Sequence, residues 1–596
     1  MKKRYGAKRK SEIRERSTTA RNRSSNPTQN DLKESAIYLK TNYDLRRLMN
    51  AMVFGIIGAL SFGIQMWRTS FVLTTPSDPL QYVQPALFPQ AGFEFLDRTL
   101  LWLQLRLSSN LPIPPEMVGP ITTLVTVSLL IGIVGFWLAL RINFISSGIF
   151  MGMSLMNPFY ISISTYTYPT QLMTLVIVIT LIFFLEFRNF LFGGAGVAFA
   201  LLSKVQGVAL GVTLLILAFD KNSGTKYAHK IRNILLGFIG GIFLILVILV
   251  AIDGLETSSR WVYRYFAGGT ASTQFSGQNI KGVPQFLQYL YEPIAVVGVL
   301  GSLGAVFYLK QSERVFAIAA VSQAIFLFAI YEISQRGGSL IHNYSFDALT
   351  LGLISFSIMA GGFLGVQHSK ANIFLGALIP LICLCWSVLV GNRNATIGQI
   401  VIGQLYAKSS NLAFLGGCFF FVAVLLNRAA NKTKGKRSPA KRVNKQFFRI
   451  RIVTIVSLGL LLLATGNNTE KGYADSKFKQ EESLQFHTLG KLIRSLDGLI
   501  CVDIKLGYAT NEDAGPRLRG TYATFYDSNL KNHLFINGLD SNGESLKEKC
   551  NYFITDNNES KMLSAFGITL DGQSVIVANF NGEIVSSINL PLARVW

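Results

Sequence analysis

Acidic residues are scarce in this 596-residue chain: 33 Asp and Glu stand against 56 Lys and Arg, and charged residues of both signs make up only 15% of it. Half of the residues are hydrophobic and they come in long runs, which excludes an ordinary soluble enzyme. Cysteine is also rare. Of the five, Cys383, Cys385 and Cys418 fall inside apolar runs without the spacing of a zinc site. The surplus of positive charge does not make a nucleic-acid binder, because no basic stretch is joined to a recognition motif or to interleaved stacking aromatics. Gly193, Gly194 and Gly196 form no phosphate loop. They lie in an apolar run with no preceding strand, where small residues serve close helix packing.

What the chain does have is a sorted charge pattern. Residues 1–48 carry fourteen Lys or Arg and five acids, and Arg428 to Arg451 carry ten basic residues and no acid. Together these segments supply nineteen of the formal +23. The tail, residues 1–47, is polar, basic and Ser-rich, as in disordered segments that associate with anionic lipid. It is too long and polar to be the leader of a cleaved signal, so the first apolar run is expected to remain as a helix. Apolar runs lie near 49–67, 119–140, 143–163, 170–187, 190–203, 206–219, 231–252, 291–309, 315–332, 346–366, 371–391, 411–427 and 450–465. With about 13 transmembrane helices and a cytoplasmic N-terminus, each even-numbered run ends at basic residues, as the positive-inside rule requires. Reading 190–219 as one helix would invert every later loop.

The expected architecture is an α-helical polytopic membrane domain over 48–465, with long outer loops at 68–118, 253–290 and 392–410. The stretch FEFLDRTLLWLQLRL (93–107) has apolar residues at helical spacing and is expected to lie along the membrane surface. Residues 466–596 change composition, with sixteen acids and thirteen bases. Strand-like runs at 499–504, 551–555 and 574–580, and an amphipathic helix near 484–496, predict a small extracytoplasmic α/β domain. Cys501 and Cys550 are either a disulfide, which that compartment permits, or two buried thiols.

Candidate site residues are ionisable groups near the outer face. Asp78, between Pro76 and Pro79, is either a base for a hydroxyl nucleophile or an exposed turn acid. Lys204, between two apolar runs, is either a phosphate partner or an interfacial anchor. His342 and Arg336 lie near the same face, and Arg260, Arg264 and Lys281 occupy the 253–290 loop. Glu292, beside Tyr289 and Tyr291, has the setting of an interface anchor.

The spacing of Asp78 and Tyr82 after the first run resembles the loop motif of integral-membrane glycosyltransferases with the GT-C fold. The segment with Asp97 and Arg98 resembles the surface helix that follows it there. Residues 190–219 are similar to the Gly-rich double span with a central Lys in bacterial relatives of protein O-mannosyltransferases and aminoarabinose transferases. HNYSFDALTLGLISF (342–356) looks like a late motif of that family, with His342 and Asn343 where Arg is frequent and Tyr344 kept. Position 79 is Pro where the family often has a second acid, and NPFYISISTYTYPTQ (157–171) offers Thr, Tyr and Gln where many relatives carry another.

The resemblance implies transfer of a sugar from a polyprenyl-phosphate donor to a glycan, lipid or protein acceptor on the extracytoplasmic side of a bacterial plasma membrane. Asp78 would be the base with Tyr82 beside it, and Lys204 the phosphate partner. Asp97, Arg98, His342 and Tyr344 would hold substrate. Membrane lipid is an expected partner and nucleic acid is not. No cofactor is certain, no residue is assigned as a metal ligand, and a divalent metal stays open. A polysaccharide polymerase or ligase, and a transporter or flippase, are the competing functions.

Overall fold

The computed structural model describes residues 45–74, 82–83, 86–87, 98–219, 226–266, 296–302, 314–328, 346–365, 370–391, 402–434, 440–503, 533–536, 549–555, 574–579 and 583–589. Helices dominate these residues. They are α1 Leu45–Thr69, α2 Thr99–Ser108, α3 Pro115–Arg141, α4 Phe144–Met156, α5 Pro158–Ile163, α6 Pro169–Phe187, α7 Phe190–Ser203, α8 Ala209–Ala218, α9 Tyr227–Phe266, α10 Val315–Phe328, α11 Phe346–Leu364, α12 Lys370–Gly391, α13 Ile402–Lys434 and α14 Ala440–Arg494. Among the described residues, eight helices are long and apolar enough to cross a membrane, and four further apolar helices are shorter. The chain is a polytopic helical membrane protein.

Residues 190–219 form two helices. Helix α7 stops at Lys204, whose backbone is extended, and a 3-10 turn Val205–Val208 leads into α8. The chain reverses there. Gly193 faces Leu214, Gly211 faces Val197 and Gly207 faces Ala200, an antiparallel ladder with Lys204 at its tip. The glycines allow this approach: a Cβ on Gly193 would sit 2.9 Å from Leu214 Cδ1. Helix α9 then runs parallel to α7, with Gly237 against Leu191 and Gly241 against Ala195 and Ala198.

The contacts sort the helix ends into two groups. At one end, Arg141 pairs with Glu186, which also accepts from Trp137 Nε1 at 3.0 Å. Asn143 donates to Gly361 O at 3.1 Å and Lys230 to Ala218 O at 2.9 Å. Arg188, the described residues 226–232, Lys370, and the facing termini of α13 and α14 belong to this basic end. At the other end, Thr74 N donates to Glu116 O at 2.9 Å, Gly119 abuts Thr167, and Gln65 donates to Tyr473 at 3.0 Å. Lys204 lies at this second end.

Several boundaries differ from the sequence expectation. Residues 253–266, expected in a loop, continue α9 past a kink at Gly254, whose φ of 81° suits a residue without Cβ. Helix α13 begins at Ile402, inside the expected 392–410 loop. Helix α14 runs unbroken through the expected domain boundary at 465 to Arg494, so the amphipathic stretch near 484–496 is its last turns rather than a separate helix. Its Gly466 carbonyl accepts from Trp386 Nε1 at 3.1 Å and Thr469 donates to Met156 O at 2.8 Å, which holds a Gly-Asn-Asn run in the helix. Helix α2 buries Leu101, Trp102, Leu103 and Leu105 against protein and leaves Leu107 exposed.

Beyond α14 lies a five-stranded sheet of order β2-β1-β3-β4-β5, with β1 Ile500–Asp503, β2 His533–Ile536, β3 Tyr552–Thr555, β4 Ser574–Asn579 and β5 Ile584–Asn589. β1 pairs in parallel with β2 and β3, and β3, β4 and β5 pair antiparallel. Three strands match the expected runs; β2 and β5 were not foreseen. Cys501 and Cys550 form a disulfide with Cα atoms 5.8 Å apart. Ile500, Tyr552 and Val585 pack into one apolar cluster with Tyr82, Val83, α2 and Tyr168, so the sheet sits at the Lys204 end.

Candidate active site

Lys204 is only 2% exposed and lies inside the protein. A snorkelling anchor keeps its ammonium in water; this one is enclosed and is held by specific neighbours. Its Nζ donates to Thr170 Oγ1 at 2.8 Å and lies 5.1 Å from the centre of the Tyr168 ring. Both partners come from the turn that opens α6, where Pro169 sets the first helical residue. Gln171 braces the turn by donating to the carbonyls of Ile163 and Tyr166 at 3.1 and 3.0 Å. The 157–171 segment thus places hydroxyl and aromatic groups around the lysine, where the sequence lacks an acid.

The acid comes from elsewhere. Asp347, in the first turn of α11, is 0% exposed and within electrostatic reach of Lys204. With the Gln323 amide turned to suit its neighbours, its nitrogen donates to Asp347 Oδ2 at 2.8 Å and to Gln206 O at 3.2 Å. One turn further along α11, Thr350 Oγ1 shares a 2.8 Å hydrogen bond with Tyr160 OH. Lys204, Gln206, Asp347 and Gln323 therefore form one buried polar cluster built from three separated segments.

A charge pair flanks the same turn. Asp475 and Lys479, one turn apart on α14, are both buried, with Nζ 2.5 Å from Oδ2. Ser162 Oγ donates to Asp475, and Lys479 Nζ also reaches Ser162 Oγ at 3.2 Å. Lys479 lies 4.3 Å from the centre of the Tyr166 ring, which stacks on Tyr168 with centroids 6.4 Å apart. Two ammonium groups therefore sit on the two rings of one stacked pair. Such contacts strengthen when desolvated.

Of the site residues expected from sequence, Tyr82 joins the cluster: it is buried, with its ring edge-on to Tyr168 at 5.8 Å. Arg98 opens α2, whose Leu101 to Leu105 share the apolar cluster of Tyr82 and Tyr168. Asp78, Asp97, His342, Tyr344, Arg336, Lys281, Glu292 and the side chains of Arg260 and Arg264 lie outside the described residues. Among the described residues, no group of three or more His, Cys, Asp or Glu is placed to hold a metal ion.

Sequence reasoning missed Asp347, Gln323 and the Asp475–Lys479 pair. The signal for Asp347 was present: it is the one acid in the run Phe346–Leu364, and an ionisable residue in such a run marks a functional or paired group. Asp475 and Lys479 were hidden because they fall beyond the expected end of the last span.

No family model and no curated protein matches this sequence. Among solved structures, the chain is similar to the crystal structure of ArnT from Cupriavidus metallidurans in the apo state. The identity is 11% and the TM-score 0.46, over 89% of this chain and 96% of that one. It is likewise similar to the crystal structure of the same protein bound to undecaprenyl phosphate, at 10% identity and a TM-score of 0.45, over the same shares.

Proposed function

We propose that this chain is a GT-C-type membrane glycosyltransferase that moves a sugar from a polyprenyl-phosphate donor to an acceptor on the extracytoplasmic side. The observation that carries the reading is Lys204: a buried ammonium at the tip of a helical hairpin, at the opposite end of the bundle from the basic segments. By the positive-inside rule the basic end faces the cytoplasm, so the Lys204 end faces outward. An activated lipid donor reaches that face without a nucleotide-sugar site. The Cys501–Cys550 disulfide at the same end agrees with an oxidising compartment.

In this mechanism an acceptor hydroxyl attacks the anomeric carbon and the lipid phosphate departs. The phosphate gains charge as the bond breaks, and a preorganised cation in a dry site stabilises that charge more than water can. Lys204 fills this role. Asp78 takes the proton of the acceptor hydroxyl, Tyr82 supports the site through Tyr168, and Arg98, Asp97, His342 and Tyr344 hold substrate. The extracytoplasmic sheet domain covers the site from outside. The test is direct. Purified protein in detergent should release polyprenyl phosphate from at least one of a panel of polyprenyl-phosphoryl sugars when offered a mixed acceptor fraction. Absence of sugar transfer across the panel counts against the reading.

The buried Asp475–Lys479 pair favours a second reading as a carrier, since transporters place such pairs along a substrate path. That pair lies toward one end of the bundle. A carrier would move labelled lipid or solute across sealed vesicles without breaking a glycosidic bond; the transferase breaks that bond in detergent, with no membrane to cross.

A further inference from the structure

Asp347 has two carboxylate oxygens with different surroundings. Oδ2 accepts from Gln323, whereas Oδ1 is buried and accepts from no side chain among the described residues, the carboxylate's other donors being the backbone N–H groups of Asp347 and Ala348. A buried carboxylate oxygen with no side-chain donor keeps capacity to accept from a ligand or a water. The same carboxylate lies within electrostatic reach of the Lys204 ammonium. One site therefore offers a cation and, in the same buried cluster, an anionic acceptor with unused capacity. That combination suits a ligand with a phosphate and a hydroxyl close together, which is the head of a glycosyl phosphodiester.

We infer that Asp347 binds a hydroxyl of the donor sugar through Oδ1 and discriminates the glycosylated lipid from the free lipid phosphate. The inference rests on the reading of Lys204 as the phosphate partner. The donor is a phosphodiester with one negative charge. The spent lipid is a phosphomonoester carrying about −1.5 to −2 at neutral pH. A buried carboxylate beside the phosphate repels the second form more strongly and has no sugar hydroxyl to gain from it. Asp347 thus favours loading of the donor and release of the product.

The experiment compares three probes on the full-length protein in detergent: polyprenyl phosphate, its methyl diester, and a panel of polyprenyl-phosphoryl glucose, mannose and arabinose. In wild type, at least one sugar diester should bind more tightly than the methyl diester. Asp347→Asn keeps the shape and removes the charge. It should cancel that sugar-dependent excess, a loss of about tenfold or more for a hydrogen bond to a charged group, while polyprenyl phosphate binds several-fold more tightly. The opposite signs are what a purely structural residue would not produce. Asp347→Ser gives the same two readouts if the Asn variant fails to fold.

A parallel loss for all three probes, or no sugar-dependent excess in wild type, overturns the Asp347 assignment. Polyprenyl phosphate that does not bind wild type at all removes the Lys204 reading as well, so the two failures are told apart.

Discussion

Lys479 lies 4.3 Å from the centre of the Tyr166 ring, and through this contact the last long helix holds the turn that surrounds Lys204. Its ammonium also pairs with Asp475 and reaches Ser162, so one buried side chain ties α14 to the α5–α6 connection. Lys479→Met would leave Asp475 as a buried charge without its cation. Breaking such a pair from one side costs about 3–5 kcal/mol. Thermal unfolding in detergent should show a clear drop for Lys479→Met and a smaller one for the double variant with Asp475→Asn. Equal melting of the single variant and wild type would mean the pair is not part of the fold's support.

The disulfide closes a long loop across the sheet, with 49 residues of sequence separation. Loop-closure entropy for that length predicts about 4 kcal/mol of stabilisation for the sheet region. Under non-reducing conditions, thiol labelling of unfolded protein should find three free cysteines, Cys383, Cys385 and Cys418. Labelling of all five would contradict the bridge, as well as the oxidising side assigned to the sheet.

The two ends of the bundle give a topology prediction. Single-cysteine variants Arg437→Cys and Asp540→Cys should behave oppositely toward an impermeant maleimide in intact cells, with position 437 protected and position 540 labelled. Labelling at 437 from outside would place Lys204 on the wrong face for a lipid-linked donor.

Asp78→Asn should leave the protein folded and reduce sugar transfer by about 10²–10⁴-fold, the usual contribution of a general base. Near-normal turnover would reduce Asp78 to a turn residue between two prolines, and Asp97 would become the candidate base.

How much of this was legible depended on the range of the signal. The helix break at Lys204 could be read locally, because a lysine between apolar runs marks an end and the loop charges demand a reversal there. Tyr82 stands out in the sequence only through the resemblance of its spacing from Asp78 to the family's loop motif. The partners of Lys204 could not be read locally, since Asp347 is 143 positions away and reaches it only through the packing of α10 and α11 against the hairpin. The unbroken α14 was also illegible. Its Gly466-Asn467-Asn468 run has the chemistry of a turn, and only the contacts from Trp386 and Met156 explain why it stays helical. Helix α14 therefore ends at Arg494 rather than at the composition shift near 465.

The central claim is that Lys204 binds the phosphate of a polyprenyl lipid, and direct binding of polyprenyl phosphate to three forms of the protein tests it. Wild type should bind, Lys204→Ala should lose most of that affinity, and Lys204→Arg should retain an intermediate value because it keeps the charge but changes its shape and reach. Equal affinity in wild type and Lys204→Ala, with both proteins folded, would contradict the account.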